Sequence, residues 1–204
     1  MSYYFFIKNL FDRIIAFFLL ILLSPFLVVI AFFIFLQIGS PVFFSQQRPG
    51  FRGKPFRLIK FRTMSYETDS SGVLLPDAMR LSPFGSWLRS TSIDELPELI
   101  NIIRGEMSFI GPRPLLMEYL SLYSSYQLRR HNVLPGVSGL AQVKGRNFLS
   151  WDKKFYYDIW YVDNFCLILD LKIFFLTLLA VISRNGISAP GDATMPKFDG
   201  NLHD

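Results

Sequence analysis

The sequence predicts a mostly helical α+β protein tied to a membrane through its N-terminal segment. Three observations carry that prediction. Ile14 to Leu36 form a run of 23 residues without a charge; as one helix it is about 34 Å long, enough to cross a bilayer. Later segments repeat apolar residues at helical spacing, whereas Phe56–Arg62 alternates as a strand does. Hydrophobic residues make up 51% of the 204-residue chain, with 22 Phe, and mean hydropathy is +0.32, above an ordinary soluble domain.

The apolar run is too long for a cleaved signal, and no small-x-small site follows it. Ser24-Pro25 interrupts it. Pro25 lacks an N–H and its ring crowds the preceding turn, so a helix through it kinks. Ser24 can bond back to a freed carbonyl in the apolar phase. Two arrangements fit: a kinked transmembrane helix, or a re-entrant helix-break-helix that returns to the face it entered. Lys8 and Arg13 precede the run. Arg48, Arg52, Lys54, Arg57, Lys60 and Arg62 follow it with no acid among them. Positive charge prefers the cytoplasmic side. Basic flanks at both ends favour the re-entrant form and still permit a single span with the large domain inside.

Beyond the run, Arg48-Pro-Gly50 and Phe51-Arg-Gly-Lys54 read as turns around short extended pieces. Residues 65–80 read as a polar surface loop. Ile93–Arg104 is an expected helix, with Leu96, Leu99, Ile100 and Ile103 on one face and Gly105 as its stop. Gly111-Pro-Arg-Pro114 is a rigid loop, Glu118–Arg130 a second expected helix, and Pro135-Gly-Val-Ser-Gly139 a turn cluster. Val143–Arg146 leads into a loop, and Trp151–Tyr161 reads as helical. Leu167–Ser183 is a strongly apolar helix. Asp170 and Lys172 near one end suit it to an interfacial position better than a span, and a buried core helix fits equally.

The formal net charge is +5 and the pI about 9.4. Such a balance suits anionic partners, or simple solubility. The one cysteine, Cys166, excludes an intrachain disulfide; in an apolar stretch its expected role is packing. No Walker-type or dinucleotide glycine motif occurs. His131 and His203 are too far apart in sequence to suggest a zinc site. Most aromatics sit in apolar runs, which favours membrane or core contact over nucleic acid.

The sharpest local feature is Ser92-Ile-Asp-Glu-Leu-Pro97. Pro97 fits only within a first helical turn, which puts Asp94 and Glu95 at the helix start. Acids there are ordinary capping residues. The same geometry also serves chemistry. Adjacent carboxylates hold a divalent cation, and one of them can attack phosphorus to form an acyl phosphate. An anionic diphosphate substrate needs cations, and Lys60, Arg62, Arg89, Arg113 and Arg146 are candidates. Arg113 is the strongest of these, because Pro112 and Pro114 fix it.

Taken in order, these segments resemble a known family. They are Ser24-Pro25, Gln47-Arg-Pro-Gly50, Lys60-Phe-Arg-Thr-Met64, Arg89 with Ser92-Ile-Asp-Glu-Leu-Pro97, and Gly105-Glu-Met-Ser-Phe-Ile-Gly-Pro-Arg-Pro114. Arg130-His131, Pro135-Gly-Val-Ser-Gly-Leu-Ala-Gln142, Gly145-Arg146-Asn147, Tyr157-Asp158 and Leu169-Asp-Leu-Lys172 continue the series. The chain resembles the bacterial sugar transferases, the monotopic phosphoglycosyl transferases, most closely their minimal PglC-type members. Each piece is weak alone; the ordered set is specific and spans nearly the whole chain.

The resemblance implies a monotopic protein. Residues 1–38 would form a re-entrant membrane helix broken at Ser24-Pro25, and residues 39–204 a small cytoplasmic catalytic domain with interfacial helices. It implies residence in the bacterial inner membrane with the catalytic domain on the cytoplasmic face. It makes Asp94 and Glu95 catalytic and calls for Mg2+, held partly by Asp94. Asp94 would attack the β-phosphorus of a UDP-sugar, UMP would leave, and polyprenyl (undecaprenyl) phosphate would collect the phosphosugar from Asp94. Glu95 would move a proton or orient the acceptor. Lys60, Arg62, Arg89, Arg113, Arg146 and Asp158 would line the substrate pocket. The expected donor is N-acetylated, the other partners are polyprenyl phosphate and membrane lipid, and a homodimer is compatible. An inactive membrane scaffold and a nucleic-acid-binding membrane protein are the competing classes. The intact Asp94, Glu95 and Arg113 oppose the first, and UDP-sugar turnover would exclude the second as the main role.

Overall fold

The computed structural model describes residues 3–145, 148–183 and 197–200. Helix α1 (Tyr3–Gln37) runs without interruption through Ser24 and Pro25. Pro25 cannot donate to the carbonyl four residues back, that of Ile21. The Ser24 hydroxyl donates to that carbonyl instead, at 2.8 Å. The substitution of one donor for another keeps the helix satisfied where lipid offers none. Gly39, at φ 91°, turns the chain out of the helix.

Strands β1 (Phe43–Pro49) and β2 (Pro55–Phe61) form an antiparallel hairpin, with Phe43 opposite Phe61 and Pro49 opposite Pro55. Helices α2 (Asp77–Arg80) and α3 (Pro83–Ser90) follow, the first inside the segment expected to be loop. The helix expected over Ile93–Arg104 is two pieces: a 3-10 turn over Ile93–Glu98, then α4 (Leu99–Ile103). Strand β3 (Ser108–Ile110) pairs in parallel with β4 (Gly136–Ser138). Between them lie short pieces in place of the single helix expected over Glu118–Arg130. A 3-10 turn at Met117–Ser121 is followed by α5 (Ser125–Leu128) and a 3-10 turn at Arg129–Asn132. Ser124 breaks the run because it caps α5, exchanging side-chain and backbone hydrogen bonds with Gln127. Helices α6 (Leu140–Gly145), α7 (Trp151–Asn164) and α8 (Leu167–Ser183) complete the fold, the last two near their expected bounds.

The glycines of two loops are a packing requirement. A Cβ on Gly136 would lie 2.1 Å from the Gly111 nitrogen, so only glycine lets the loops leaving β3 and entering β4 meet.

Helix α1 packs on the body on both sides of Ser24-Pro25. Ala16, Leu19, Leu20 and Leu23 meet Phe56, Leu58, Leu99, Ile102 and Met107. Leu27, Ile30 and Ile34 meet Phe61, Phe84 and Leu88. Each fully buried aliphatic side chain here stabilises by about 1.5–3 kcal/mol. Polar ties hold the N-terminal turns. Lys8 Nζ lies 2.7 Å from Asp170 Oδ2, Ser108 Oγ donates to Asp12, and Arg13 Nε donates to the Ile103 carbonyl at 2.9 Å.

The opposite face of α1 is bare: Leu22, Val28 and Phe18 are 73%, 67% and 64% exposed. An apolar face of that extent marks a contact surface. Among the described residues, α1 alone is long and apolar enough to cross a membrane. Helix α8 likewise exposes Leu167, Ile168, Leu171, Phe175 and Leu179 while burying Asp170 and Ile173. It is therefore not the buried core helix left open above. Cys166, expected in the packing, is exposed at the start of α8.

Candidate active site

Ser92 adopts a left-handed conformation (φ 56°) and starts the 3-10 turn that carries the acids. A 3-10 helix has three residues per turn, so residues i and i+3 eclipse. Glu95 and Glu98 therefore project to one side, where Lys60 of β2 meets both. Lys60 Nζ is 2.6 Å from Glu95 Oε1 and 3.0 Å from Glu98 Oε1. Arg113, from the loop after β3, donates Nη2 to Glu95 Oε1 at 2.7 Å. Glu95 thus spends its carboxylate on two cations from other elements, beyond any capping of its own turn. Asp94 makes no hydrogen bond or ion pair among the described residues, although it is only 9% exposed.

These environments drive the two neighbours apart. Burial lifts Asp94 to about 6, the charge of Glu95 adds to the rise, and Lys60, Arg113 and Arg89 offset part of it. Burial also opposes ionisation of Glu95, yet Arg113 and Lys60 together pull it down to about 2. Glu95 is a fixed anion, whereas Asp94 is a more basic, uncommitted carboxylate. That division leaves Asp94 chemically available while Glu95 is committed as a structural charge.

Glu95 and Ser92 line a cavity of about 690 Å³, and Asp94 lies between them in the chain without lining it. Its cationic lining comprises Arg48, Arg89, Arg113, Arg130 and Lys154, against the carboxylates of Glu95 and Asp158. Helices α1 and α8 supply lining of a different kind: Leu19, Leu23, Thr177, Ala180 and Val181. Among the described residues Arg48 has only a neutral side-chain partner, the Gln46 amide oxygen at 2.7 Å. Burial and the nearby Arg113 push its guanidinium down from its ordinary value. The same two causes bring Lys154 to about 8. Cations crowded together in this way favour an anionic ligand.

Arg130 and Asp158 form a buried pair at 2.7 Å, and Arg130 Nη2 also donates to the Arg113 carbonyl at 2.7 Å. Asp158 lines the cavity, but its carboxylate is engaged by Arg130 and reaches Arg113 through it. Arg130→Met is expected to cost about 3–5 kcal/mol, because it strands a buried carboxylate. Thermal denaturation in detergent checks this.

The structure brings Asp94, Glu95, Arg89, Arg113 and Asp158 together. Arg89 Nε donates to Thr63 Oγ1 at 2.9 Å and faces the cavity. Lys60 stands behind the dyad, outside the lining. Arg62 is elsewhere: it is buried, donates Nη2 to the Ile38 carbonyl at 2.8 Å, and lies 5.0 Å over the Tyr66 ring. Its guanidinium fastens the exit of α1. Arg146 falls outside the described residues. Sequence reasoning overlooked Arg48, Glu98, Arg130 and Lys154 as site residues. Arg48 and Arg130 sat inside quoted motifs; Glu98 was visible only through the 3-10 spacing.

The sequence model of the bacterial sugar transferases matches residues 3–184. The chain belongs to the bacterial sugar transferase family. The uncharacterized sugar transferase EpsL of Bacillus subtilis is 52% identical over 195 residues, covering 96% of each chain. The UDP-glucose:undecaprenyl-phosphate glucose-1-phosphate transferase of Klebsiella pneumoniae is 40% identical over 84% of this chain and 39% of its own length. The undecaprenyl-phosphate galactose phosphotransferase of Salmonella typhimurium is 33% identical over 89% of this chain and 41% of its own. The chain thus spans about two fifths of these two longer relatives.

Among the described residues no group of three or more His, Cys, Asp or Glu side chains is placed to hold a metal ion. An all-protein metal cage is therefore not what this site offers. Magnesium commonly takes one or two carboxylates and completes its shell with water and substrate phosphates. The uncommitted Asp94 carboxylate beside a cationic cavity fits that habit.

Proposed function

We propose that this protein transfers a hexose 1-phosphate from a UDP-hexose to a polyprenyl phosphate, releasing UMP. The observation that carries this reading is an uncommitted buried carboxylate, Asp94, next to Glu95, which lines a cavity that is both cationic and apolar. The cations suit a diphosphate. Part of the apolar lining comes from α1 and α8, the helices with bare apolar faces, and suits the prenyl chain of the acceptor. The names of the Klebsiella and Salmonella relatives add the donor and acceptor classes.

In the first step Asp94 attacks the β-phosphorus. The bond from that phosphorus to the bridging oxygen breaks, and UMP leaves with that oxygen. The phosphohexose is then an acyl phosphate on Asp94. An oxygen of polyprenyl phosphate attacks the same phosphorus and frees the Asp94 carboxylate, giving a polyprenyl-diphosphate hexose. Arg113, Arg48, Arg89 and Lys154 hold phosphate oxygens through charge-assisted hydrogen bonds. Glu95, fixed by Lys60 and Arg113, keeps Arg113 in place for the transferring group. Magnesium, held by Asp94, would supply Lewis-acid neutralisation of charge at the diphosphate.

The membrane arrangement follows the same logic. Helix α1 continues through the expected break at Ser24-Pro25, and support for a monotopic arrangement comes instead from body contacts on both sides of that pair, which keep both ends of the helix with the catalytic body. The apolar outer faces of α1 and α8 then enter one leaflet. This puts the dyad at the bilayer surface, where the acceptor phosphate lies, and the basic flanks favour the cytoplasmic face of the inner membrane.

Purified protein with magnesium and undecaprenyl phosphate is expected to release UMP from one or a few members of a UDP-sugar panel. The relatives' names point to glucose and galactose donors; N-acetylated hexoses form the second arm of the panel. Absence of UMP from every donor, with folded protein and a working control enzyme, would overturn the reading.

A further inference from the structure

Glu98 is 2% exposed, and among the described residues its ionic partner is the Lys60 ammonium, 3.0 Å away. That ammonium also holds Glu95, at 2.6 Å. Glu95 and Glu98 thus compete for one buried cation, in an arrangement set by the 3-10 spacing. Burial raises the Glu98 carboxyl in spite of Lys60, so the fold gains little from its charge and packing alone does not require a carboxyl here. The groups facing Glu98 are Lys60 from β2, Arg113 from the loop after β3, and Arg48 from β1. Glu95 adds a like charge on its own turn.

We propose that Glu98 is a positioning residue that controls how tightly Lys60 binds Glu95, and through Glu95 the placement of Arg113. When Glu98 is charged, it draws part of the ammonium toward itself, and Glu95 stays a strong acceptor for Arg113. When Glu98 is neutral, Lys60 settles on Glu95 and weakens the hold of Glu95 on Arg113. Burial lifts the Glu98 carboxyl to about 7, so the change falls in the neutral range. This inference rests on the transferase reading for its kinetic consequence but not for its electrostatic one.

Glu98→Gln is isosteric and is expected to fold with an equal or higher melting temperature. Above pH 7 its kcat falls by about 10-fold, the size of a misplaced charge-assisted contact. KM for the UDP-sugar stays within about 2-fold, as expected when binding is untouched. Below pH 6 the wild type and the variant converge, because Glu98 is then neutral in both. Glu98→Asp keeps the charge and recovers part of the lost kcat. An infrared pH titration of the carboxyl region, on substrate-free protein, reads the same group directly. The wild type shows a protonated carboxyl that ionises near neutral pH, and Glu98→Gln lacks it.

Equal kcat across the pH range for wild type and Glu98→Gln would overturn the proposal. So would equal loss in Glu98→Gln and Glu98→Asp with a lowered melting temperature, which would mark a packing role. If the wild type turns over no UDP-sugar, the functional reading fails; the infrared titration then still decides the electrostatic claim, and a spectrum unchanged in Glu98→Gln refutes it.

Discussion

Asp94→Asn is expected to lower UMP release by at least about 10³-fold, since an amide cannot replace an attacking carboxylate. The same substitution is expected to stabilise the metal-free protein. Asp94 ionises at about 6 in the folded chain, whereas the unfolded chain has the ordinary lower carboxyl value. The folded state therefore holds the proton more tightly. Its stability declines as pH rises from about 4 to 6 and remains lowered above that. A shift of about two units corresponds to about 2–3 kcal/mol at neutral pH, and Asn avoids that cost. Magnesium, if held by Asp94, narrows the gap by stabilising the wild type. Thermal denaturation with and without a chelator reads both effects. Such a trade of stability for activity is expected of a nucleophile kept buried and uncommitted.

Glu95→Gln is expected to lose activity by about 10²–10⁴-fold and to move stability in the opposite direction. Glu95 ionises at about 2 in the folded chain because Arg113 and Lys60 hold its anion against the effect of burial. A depressed carboxyl value contributes stability that is fully present above its unfolded value, near 4.5, and is lost as pH falls toward 2. At neutral pH the variant leaves Arg113 without its acid and Lys60 with Glu98 alone. The expected loss is about 2–3 kcal/mol, at the low end for breaking a buried pair because Arg113 is 45% exposed. Neighbouring residues of one motif thus give the same sign in activity and opposite signs in melting temperature. Parallel shifts in melting temperature would contradict the assignment of roles.

Long elements were legible because their patterns repeat. Helix α1 announced itself as an uncharged run, and α7 and α8 emerged near their expected bounds. The segment from Glu118 to Arg130 was not legible as pieces. Its apolar spacing is compatible with a helix, and the interruption depends on Ser124 and Gln127 capping each other. Strands β3 and β4 have three residues each, too short for any alternation to register. Their glycines were seen as turns, whereas the physical reason for Gly111 and Gly136 is backbone contact between distant loops.

The site divides similarly. Asp94, Glu95 and Arg113 were marked by local rigidity and by a motif. The Arg130–Asp158 pair, the poise of Arg48 and the competition of Glu98 for Lys60 arise from tertiary packing. Charge alone also could not separate Arg62 from Lys60. They lie two residues apart on or beside β2, yet one supports the dyad and the other fastens the end of α1.

The central claim is that Asp94 carries the phosphohexose between two half-reactions. Its most direct test mixes the protein with magnesium and its UDP-hexose donor, without acceptor. One equivalent of UMP, an intact mass increased by one phosphohexose, and a fragment placing it on Asp94 are predicted, with discharge on adding polyprenyl phosphate. UMP formed only when acceptor is present, or a phosphohexose located on Glu95, would contradict it.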